Sequence, residues 1–325
     1  MLVAGYILLT LFFAGYVAAG TLLLFAAVRT LHGLPFGIST VANSTVAVDV
    51  LPQPRRAEGI GYYGLSNNVA TAISPTVGLW MYETWHDFSL LFWASMAVSM
   101  IGVILVAGIK LPTSDSAMAT NTPKQVTEVR GFNRFFLTEA WPQGLAIVTY
   151  SFAYGVVSTY VAIYGREELG LTSGSGIFFA LLATGLFVSR LFGSLSLRRG
   201  LIVRNATVGT CLSCVGYLLF ALLHNSWGFY GCAVLVGLGN GHLWPAFQNM
   251  FINLGPDSRR GVANASLLTS WDLGVGLGVL SGGSLIERFG YHSAFWGAWT
   301  VELIGVLFFL IYVRKHYTDR WHRAL

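Results

Sequence analysis

The sequence has very little charge. Asp, Glu, Lys and Arg make up 10% of its 325 residues, whereas soluble domains hold about a quarter. So few charged side chains cannot cover a surface that faces water, and the composition excludes a soluble globular domain. The net charge of +5 is not gathered with aromatic residues on a soluble module, as nucleic-acid binding requires. We therefore expect no nucleic-acid partner.

Cysteine is scarce as well. The chain has only Cys211, Cys214 and Cys232, and all three fall within apolar stretches. Cys211 and Cys214 form a CxxC pair, but a zinc site needs further Cys or His ligands. We interpret the cysteines as small packing residues and predict no metal site.

The familiar catalytic and nucleotide-binding motifs are missing. The sequence has no P-loop, no HExxH, no GxSxG and no paired carboxylates at plausible depth, so ATP-driven transport and common hydrolytic chemistry lack support. A GxGxxG match from Gly59 to Gly64 follows no strand, which argues against a dinucleotide-binding fold. The sequence predicts neither an enzyme nor a cofactor.

Long apolar runs are what the sequence does contain. Hydrophobic residues make up 54% of the chain and the mean hydropathy is +0.63. The apolar residues come in blocks of about twenty, the length of helix that crosses a bilayer. They predict an all-α membrane protein with ten spans, at 2–18, 21–48, 60–81, 89–109, 138–162, 174–195, 204–224, 228–252, 262–284 and 292–313.

A polar segment divides these spans into four and six. Residues 111–134 are rich in Ser, Thr and Pro and show no apolar period, as expected of a linker between halves at 1–110 and 135–313. Lys and Arg gather in the linker, the basic tail 314–325 and alternate loops, whereas the opposite loops hold only Arg166 and Arg288. The positive-inside rule then places both termini in the cytoplasm.

The chain repeats itself at an offset of 204 residues. The repeat is parallel, because both copies run from inside to outside at matching positions, and parallel repeats joined by a cytoplasmic linker build one large class of transporters. Three groups of residues align in the same order along the chain. Gly33 and Gly37 align with Gly237 and Gly241; Pro52, Arg55 and Arg56 align with Pro256, Arg259 and Arg260; Ala70, Ser74 and Gly78 align with Gly274, Gly278 and Gly282.

These motifs resemble those of the major facilitator superfamily. Arg29 followed by Gly33 is similar to the family's fourth-helix signature, and Ser74-Pro75 with Gly78 is similar to its antiporter element, with Ala70 and Ser74 replacing glycines. Residues 193–200, GSLSLRRG, resemble its loop signature with Leu197 where an Asp belongs. The resemblance implies two six-helix halves, hence a bundle of twelve spans.

The repeat also shows a gap at the start. Met1 pairs with Asn205, so residues 138–204 have no counterpart in the first half. We therefore expect two helices to be missing upstream, which makes the ten spans the remainder of twelve.

Two interpretations of the basic loop residues stay open. The arginines either anchor the cytoplasmic face or act in gating by pairing with acidic groups such as Asp49 in one conformation. The residues concerned are Asp49, Arg55, Arg56, Arg198, Arg259 and Arg260.

The small residues spaced by four let helices approach closely and predict packing faces. These are Gly33, Gly37, Ser74, Pro75, Gly78, Gly274, Gly278 and Gly282.

Polar stripes within the spans predict a central cavity. A charge in mid-membrane costs about 2.5–3.5 kcal/mol on insertion scales, so it usually faces a cavity or a partner. Hydrogen bonding between helices is the alternative explanation for each stripe. The predicted solute and proton pathway comprises Arg29, His32, Asn43, Glu139, Gln143, Tyr150, Tyr154, Asn240, Trp244, Gln248, Asn249 and Asp272. Glu302, in the last span, is a further intramembrane carboxylate.

The sequence thus predicts a secondary active transporter of the inner membrane. It would act as a monomer and export a small organic solute by alternating access, coupled to protons. In this hypothesis Arg29 favours an anionic group, and Asp272 or Glu139 carries the proton. The alternatives are an uptake symporter of the same fold, and a non-transporting scaffold or inactive fragment.

Overall fold

A computed structural model describes residues 2–52, 55–108, 131–171 and 174–324. Within these ranges the chain forms α-helices and no strand, which confirms the predicted all-α class. The helices are α1 (Leu2–Ala18), α2 (Leu22–Val50), α3 (Arg56–Trp85), α4 (Phe88–Ala107), α5 (Trp141–Glu167), α6 (Gly174–Arg198), α7 (Ile202–Leu222), α8 (Ser226–Leu254), α9 (Arg260–Phe289), α10 (Tyr291–Phe308) and α11 (Arg314–Ala324).

Each of the ten predicted spans falls on one of the first ten helices. The helices run up to five residues past the predicted ends, because a helix keeps its backbone bonds where it leaves the hydrocarbon. Of the described helices, α2, α4, α5, α7 and the continuous helix from α10 onward are long and apolar enough to cross a membrane by themselves.

The end of the chain differs from the prediction of a simple tail. A π-helical turn, Phe309–Val313, joins α10 directly to α11. The tail therefore continues as a helix, and its Tyr317 hydroxyl accepts a hydrogen bond from Asn253 Nδ2 at 2.9 Å. The predicted linker lies outside the described residues over 111–130, and its last part forms a 3-10 turn, Gly131–Arg134.

The two Pro-x-x-Arg-Arg copies form the same backbone turn. The amide of Arg55 donates to the carbonyl of Pro52 at 3.0 Å, and the amide of Arg259 donates to the carbonyl of Pro256 at 2.8 Å. Each turn leads into a long helix, α3 or α9. Proline suits this place because it fixes φ and cannot continue the preceding helix. The repeat in sequence is therefore also a repeat in local structure.

The chain divides into two compact units. The first holds residues 1–44 and 81–134, and the second holds 45–80 and 135–325. In the first unit α1 packs against α4 and α2 through aromatic rings. The ring of Tyr16 stacks on Phe92 with centroids 4.9 Å apart.

In the second unit, glycines lie where helices cross. A Cβ added at Gly209 of α7 would lie 2.7 Å from the carbonyl oxygen of Gly239 in α8, and one at Gly237 would overlap the Leu182 carbonyl of α6. Close backbone approach of this kind drives helix association in lipid, where apolar burial contributes little. The result is a six-helix bundle of α5 to α10.

Candidate functional site

Four aromatic side chains meet inside the second unit. Trp271 of α9 is at their centre, with ring centroids 5.7 Å from Tyr150, 5.2 Å from Tyr154 and 5.1 Å from Trp244. Tyr150 is fully buried, and the other three are partly buried. We call Tyr150, Tyr154, Trp244 and Trp271 the aromatic cluster. It offers ring faces together with hydroxyl and indole N–H groups, the kind of surface that holds an organic solute.

Glycines of α9 place Trp271 against α5. A Cβ at Gly274 would overlap Ser151 Oγ and the Val148 carbonyl, and one at Gly278 would overlap the Phe152 carbonyl. Only glycine allows this approach, so the turn before Gly274 brings Trp271 between Tyr150 and Tyr154. Gly282 continues the same contact, since a Cβ added there would lie 3.1 Å from the Tyr160 ring.

A buried carboxylate is an electrostatic neighbour of Tyr150. Glu302 of α10 is 1% exposed, and its Oε1 has no hydrogen-bond partner within the described part of the chain. Tyr150, Tyr217 and Cys214 are its electrostatic neighbours. The rings of Tyr150 and Tyr217 have centroids 6.5 Å apart.

The position of α10 is determined by another glycine. A Cβ at Gly305 would overlap Thr149 Oγ1 of α5, so α10 lies close to α5 one turn after Glu302. The predicted pathway set does not include Glu302 or Trp271. The sequence marks Glu302 as an acid within a span, whereas nothing beyond its aromatic side chain marks Trp271.

The predicted pathway residues of α8 lie in different environments. Trp244 joins the aromatic cluster, whereas Gln248 Nε2 donates to Asn264 Oδ1 of α9 at 3.3 Å. Asn249 Nδ2 donates to the Pro245 carbonyl of its own helix at 2.7 Å. For these two amides the structure shows hydrogen bonding within the protein, the alternative that the sequence left open.

Gln143 and Glu139 lie away from the aromatic cluster. Gln143 Nε2 is 3.4 Å from His316 Nδ1 of α11. Gln143 precedes Tyr150 by seven residues, which is about 10 Å along α5. Glu139 lies in the 3-10 turn Thr138–Ala140 that precedes α5. Both side chains are therefore placed at the end of the bundle where the tail helix docks. Asn240, one turn before Trp244, has its Oδ1 without a hydrogen-bond partner over the residues described.

Three predicted pathway residues, Arg29, His32 and Asn43, belong to the first unit. Arg29 is exposed on α2. His32 is buried, with Nδ1 3.0 Å from the Tyr16 hydroxyl and its ring stacked on Phe12 at 5.5 Å. Its Nε2 is buried and has no hydrogen-bond partner among the described residues, and its place in the pathway stays a prediction. In the second unit, Asp272 is adjacent to Trp271 in sequence but is exposed.

The basic loop residues are described in part. Arg55 is exposed, and Arg259 and Arg260 are half-buried where α9 begins. The side chains of Asp49, Arg56 and Arg198 lie outside the described residues. The choice between anchoring and gating therefore stays a prediction.

The predicted packing residues fall into two groups. Gly274, Gly278 and Gly282 touch α5, as above. A Cβ added at Gly33, Gly37 or Gly78 would have no described heavy atom of a neighbouring element within 4 Å, so these three glycines make no close helix contact within the described residues. Ser74 and Pro75 lie inside α3, which continues through the proline.

Arg190 is a second arginine within a predicted span. It is 4% exposed in α6, its guanidinium lies against Gly64 of α3, and His242 of α8 is an electrostatic neighbour. A lone arginine in an apolar span was the signal that marked it.

A comparison with known families gives a match over nearly the whole chain. The sequence model of the Major Facilitator Superfamily matches residues 1–211 and again 205–324. The second match begins at the residue that the repeat pairs with Met1, in agreement with the internal duplication.

Curated relatives are transport proteins. The staphylopine export protein of Staphylococcus aureus (strain Mu50 / ATCC 700699) is 21% identical over 302 residues, 88% of this chain and 71% of that protein. The quinolone resistance protein NorA of Staphylococcus aureus (strain MRSA252) is 22% identical over 304 residues, 91% of this chain and 73% of that protein.

Solved structures share the fold. The human organic anion transporter MFSD10 (TETRAN) superposes with a TM-score of 0.71 at 15% identity, over 95% of this chain and 76% of that one. FucP, a Major Facilitator Superfamily transporter in the outward conformation, gives a TM-score of 0.67 at 15% identity over 98% and 82%. The family resemblance of the sequence is thereby confirmed: the chain belongs to the Major Facilitator Superfamily and is a multi-pass membrane transporter.

Proposed function

We propose that the protein exports a small organic solute across the inner membrane in exchange for protons. The observation that carries this proposal is the aromatic cluster together with a buried carboxylate, Glu302, that is an electrostatic neighbour of Tyr150. Such a pair supplies a surface for an organic solute and a group that can take up a proton. The similarity to a staphylopine export protein and to a quinolone resistance protein supports export over uptake.

The aromatic cluster favours a solute with a flat apolar part. Tyrosine and tryptophan rings bind such a part by stacking, while their hydroxyl and N–H groups hydrogen-bond to polar substituents. Arg29 of the first unit stays a separate candidate for recognising an anionic group, because a charged side chain within a span usually faces a cavity or a partner. The solute class is therefore an aromatic or amphipathic organic molecule.

The distribution of charge gives the orientation of the chain in the membrane. With Lys and Arg on the side of both termini, the termini face the cytoplasm. In an energised cell the proton gradient drives protons inward, and an antiporter in this orientation would use their entry to move solute out. A monomer is sufficient, since all members of the aromatic cluster come from one chain.

The test is transport by the purified protein in vesicles. Ethidium and fluorescein serve as a cationic and an anionic aromatic probe, and a pH gradient is imposed in either direction. Antiport predicts that probe moves against the proton flow. Movement of probe with the protons would establish the uptake symporter instead, and absence of flux for every probe and gradient would favour the non-transporting scaffold.

A further inference from the structure

We propose that Glu302 is the proton-binding site of this transporter and that Tyr150 links it to the aromatic cluster. The proposal rests on the proposed proton-coupled function and deepens it. It replaces the sequence-based hypothesis that Asp272 or Glu139 carries the proton.

The first argument is burial without a counter-charge. Glu302 is 1% exposed, and over the described residues no lysine, arginine or histidine is an electrostatic neighbour. A carboxylate in such a place is far too costly to stay charged, so the neutral acid is the form that the packed bundle accepts. The site therefore holds a proton as long as the helices around it remain closed.

The second argument is the chemistry of the surrounding groups. The electrostatic neighbours of the carboxyl are Tyr150 of α5 and Tyr217 and Cys214 of α7. These are weak acids, neutral at physiological pH, which can hydrogen-bond to the carboxyl but cannot neutralise a carboxylate. Charged and titratable groups on the helices packed against α10 lie elsewhere: Asp272, Glu287 and Arg288 of α9 are exposed, and on α10 itself His292 lies beside His224, the histidine just after α7.

The third argument is the position of Tyr150. One side of this residue has Glu302 as a neighbour, and its ring packs on Trp271 at 5.7 Å. Because Tyr150 packs on Trp271 and has Glu302 as an electrostatic neighbour, we expect solute binding and protonation to be sensitive to each other. When α10 moves from α5 and water reaches Glu302, the carboxylic acid releases its proton to that water. Uptake of a proton restores the acid and the closed packing.

Asp272 lacks these properties. It follows Trp271 directly in sequence, but its side chain is exposed on α9 and is not enclosed by the bundle. Glu139 lies in the turn before α5, beyond Gln143 from the aromatic cluster. Of the three acids Asp272, Glu139 and Glu302, it is Glu302 that is enclosed by the bundle and is an electrostatic neighbour of the aromatic cluster.

The experiment compares Glu302→Gln with Asp272→Asn and with Glu287→Gln, a matched control at an exposed acid. Glutamine imitates the protonated acid in shape and cannot release a proton. We expect Glu302→Gln to lower ethidium or fluorescein flux driven by a pH gradient about tenfold and to keep solute exchange at equal pH within about twofold. The other two variants should keep wild-type coupling.

Two further measurements keep the result decisive. Thermal stability in detergent checks that Glu302→Gln folds, and Glu302→Asp, which retains the acid, should retain proton coupling. Infrared difference spectra should show a protonated carboxyl band in the wild type that disappears in Glu302→Gln, whether or not a transported probe is found.

The outcomes separate the two proposals. Intact proton coupling in Glu302→Gln, loss of coupling in Asp272→Asn alone, or an unchanged carboxyl band would overturn the assignment of Glu302. If the band is lost in Glu302→Gln but the wild type moves no probe under any gradient, the proton site stands and the export function fails.

Discussion

The indole rings of Trp244 and Trp271 meet edge to face, with centroids 5.1 Å apart and planes at 89°. One ring comes from α8 and the other from α9. Edge-to-face pairs are stabilised by their quadrupoles, so the rings form a fixed wall beside Tyr154. Four predictions follow from this wall, its supporting helices and the topology of the chain.

Replacing Trp271 by Ala removes the centre of the aromatic cluster. We expect pH-driven flux of an aromatic probe to fall by about tenfold, because the contacts of three rings are lost together. Trp271→Phe should retain most of the flux. Trp227, which is 83% exposed at the start of α8, provides the control, and Trp227→Ala should transport like the wild type. Equal losses in both alanine variants would remove Trp271 from the solute site.

The glycines of α9 allow a matched test of packing. Gly278→Leu forces a side chain into the Phe152 carbonyl of α5, whereas a Cβ at Gly276 meets no described atom within 4 Å. We expect Gly278→Leu to destabilise the protein by about 1–3 kcal/mol or more and Gly276→Leu to stay within about 0.5 kcal/mol. Unfolding of both variants in a graded detergent series measures the difference. Similar stabilities would show that α5 and α9 are not in close contact.

Arg29→Ala tests the proposed recognition of an anion. Flux of fluorescein should fall by about tenfold, while ethidium flux and membrane insertion stay unchanged, because the loss of one positive charge affects the anionic probe most. Arg166, exposed near the end of α5, is the control arginine. Undiminished fluorescein flux in Arg29→Ala would exclude Arg29 from solute recognition.

The parallel repeat predicts the side of the membrane on which each loop lies. In a background without native cysteines, Pro52→Cys and Ser258→Cys should react with an impermeant thiol reagent from the same side, and Asp87→Cys from the other. The physical reason is that both Pro-x-x-Arg-Arg turns follow a helix running inward. Labelling of positions 52 and 258 from opposite sides would contradict the repeat and the proposed orientation together.

Much of the architecture follows from sequence patterns. Apolar blocks predicted ten helices that the structure contains, and the spacing of Gly274, Gly278 and Gly282 predicted a packing face that lies against α5. Tyr150, Tyr154 and Trp244 were also predicted to belong to one pathway. The predictions of the helices and of the packing face succeed because helix length and small-residue spacing are local properties of the chain, whereas the pathway stays a prediction.

The partners of individual polar side chains were not predictable in the same way. His32 was assigned to the pathway, yet it packs with Tyr16 and Phe12, and Gln248 pairs with Asn264. Glu302 was seen as an acid in a span, but its enclosure by α5 and α7 could not be known. In helices that are apolar on every side, hydropathy does not show which face is lipid-exposed and which is packed.

The sequence by itself determined that this chain crosses a membrane repeatedly, that it is internally duplicated and that its family carries solutes. The tertiary structure decided which polar groups meet: Trp271 with the tyrosines of α5, and Glu302 with Tyr150 inside the bundle. The reason is that helix rotation and crossing depend on glycine contacts between distant segments, so the neighbours of a buried side chain exist only once those helices have packed.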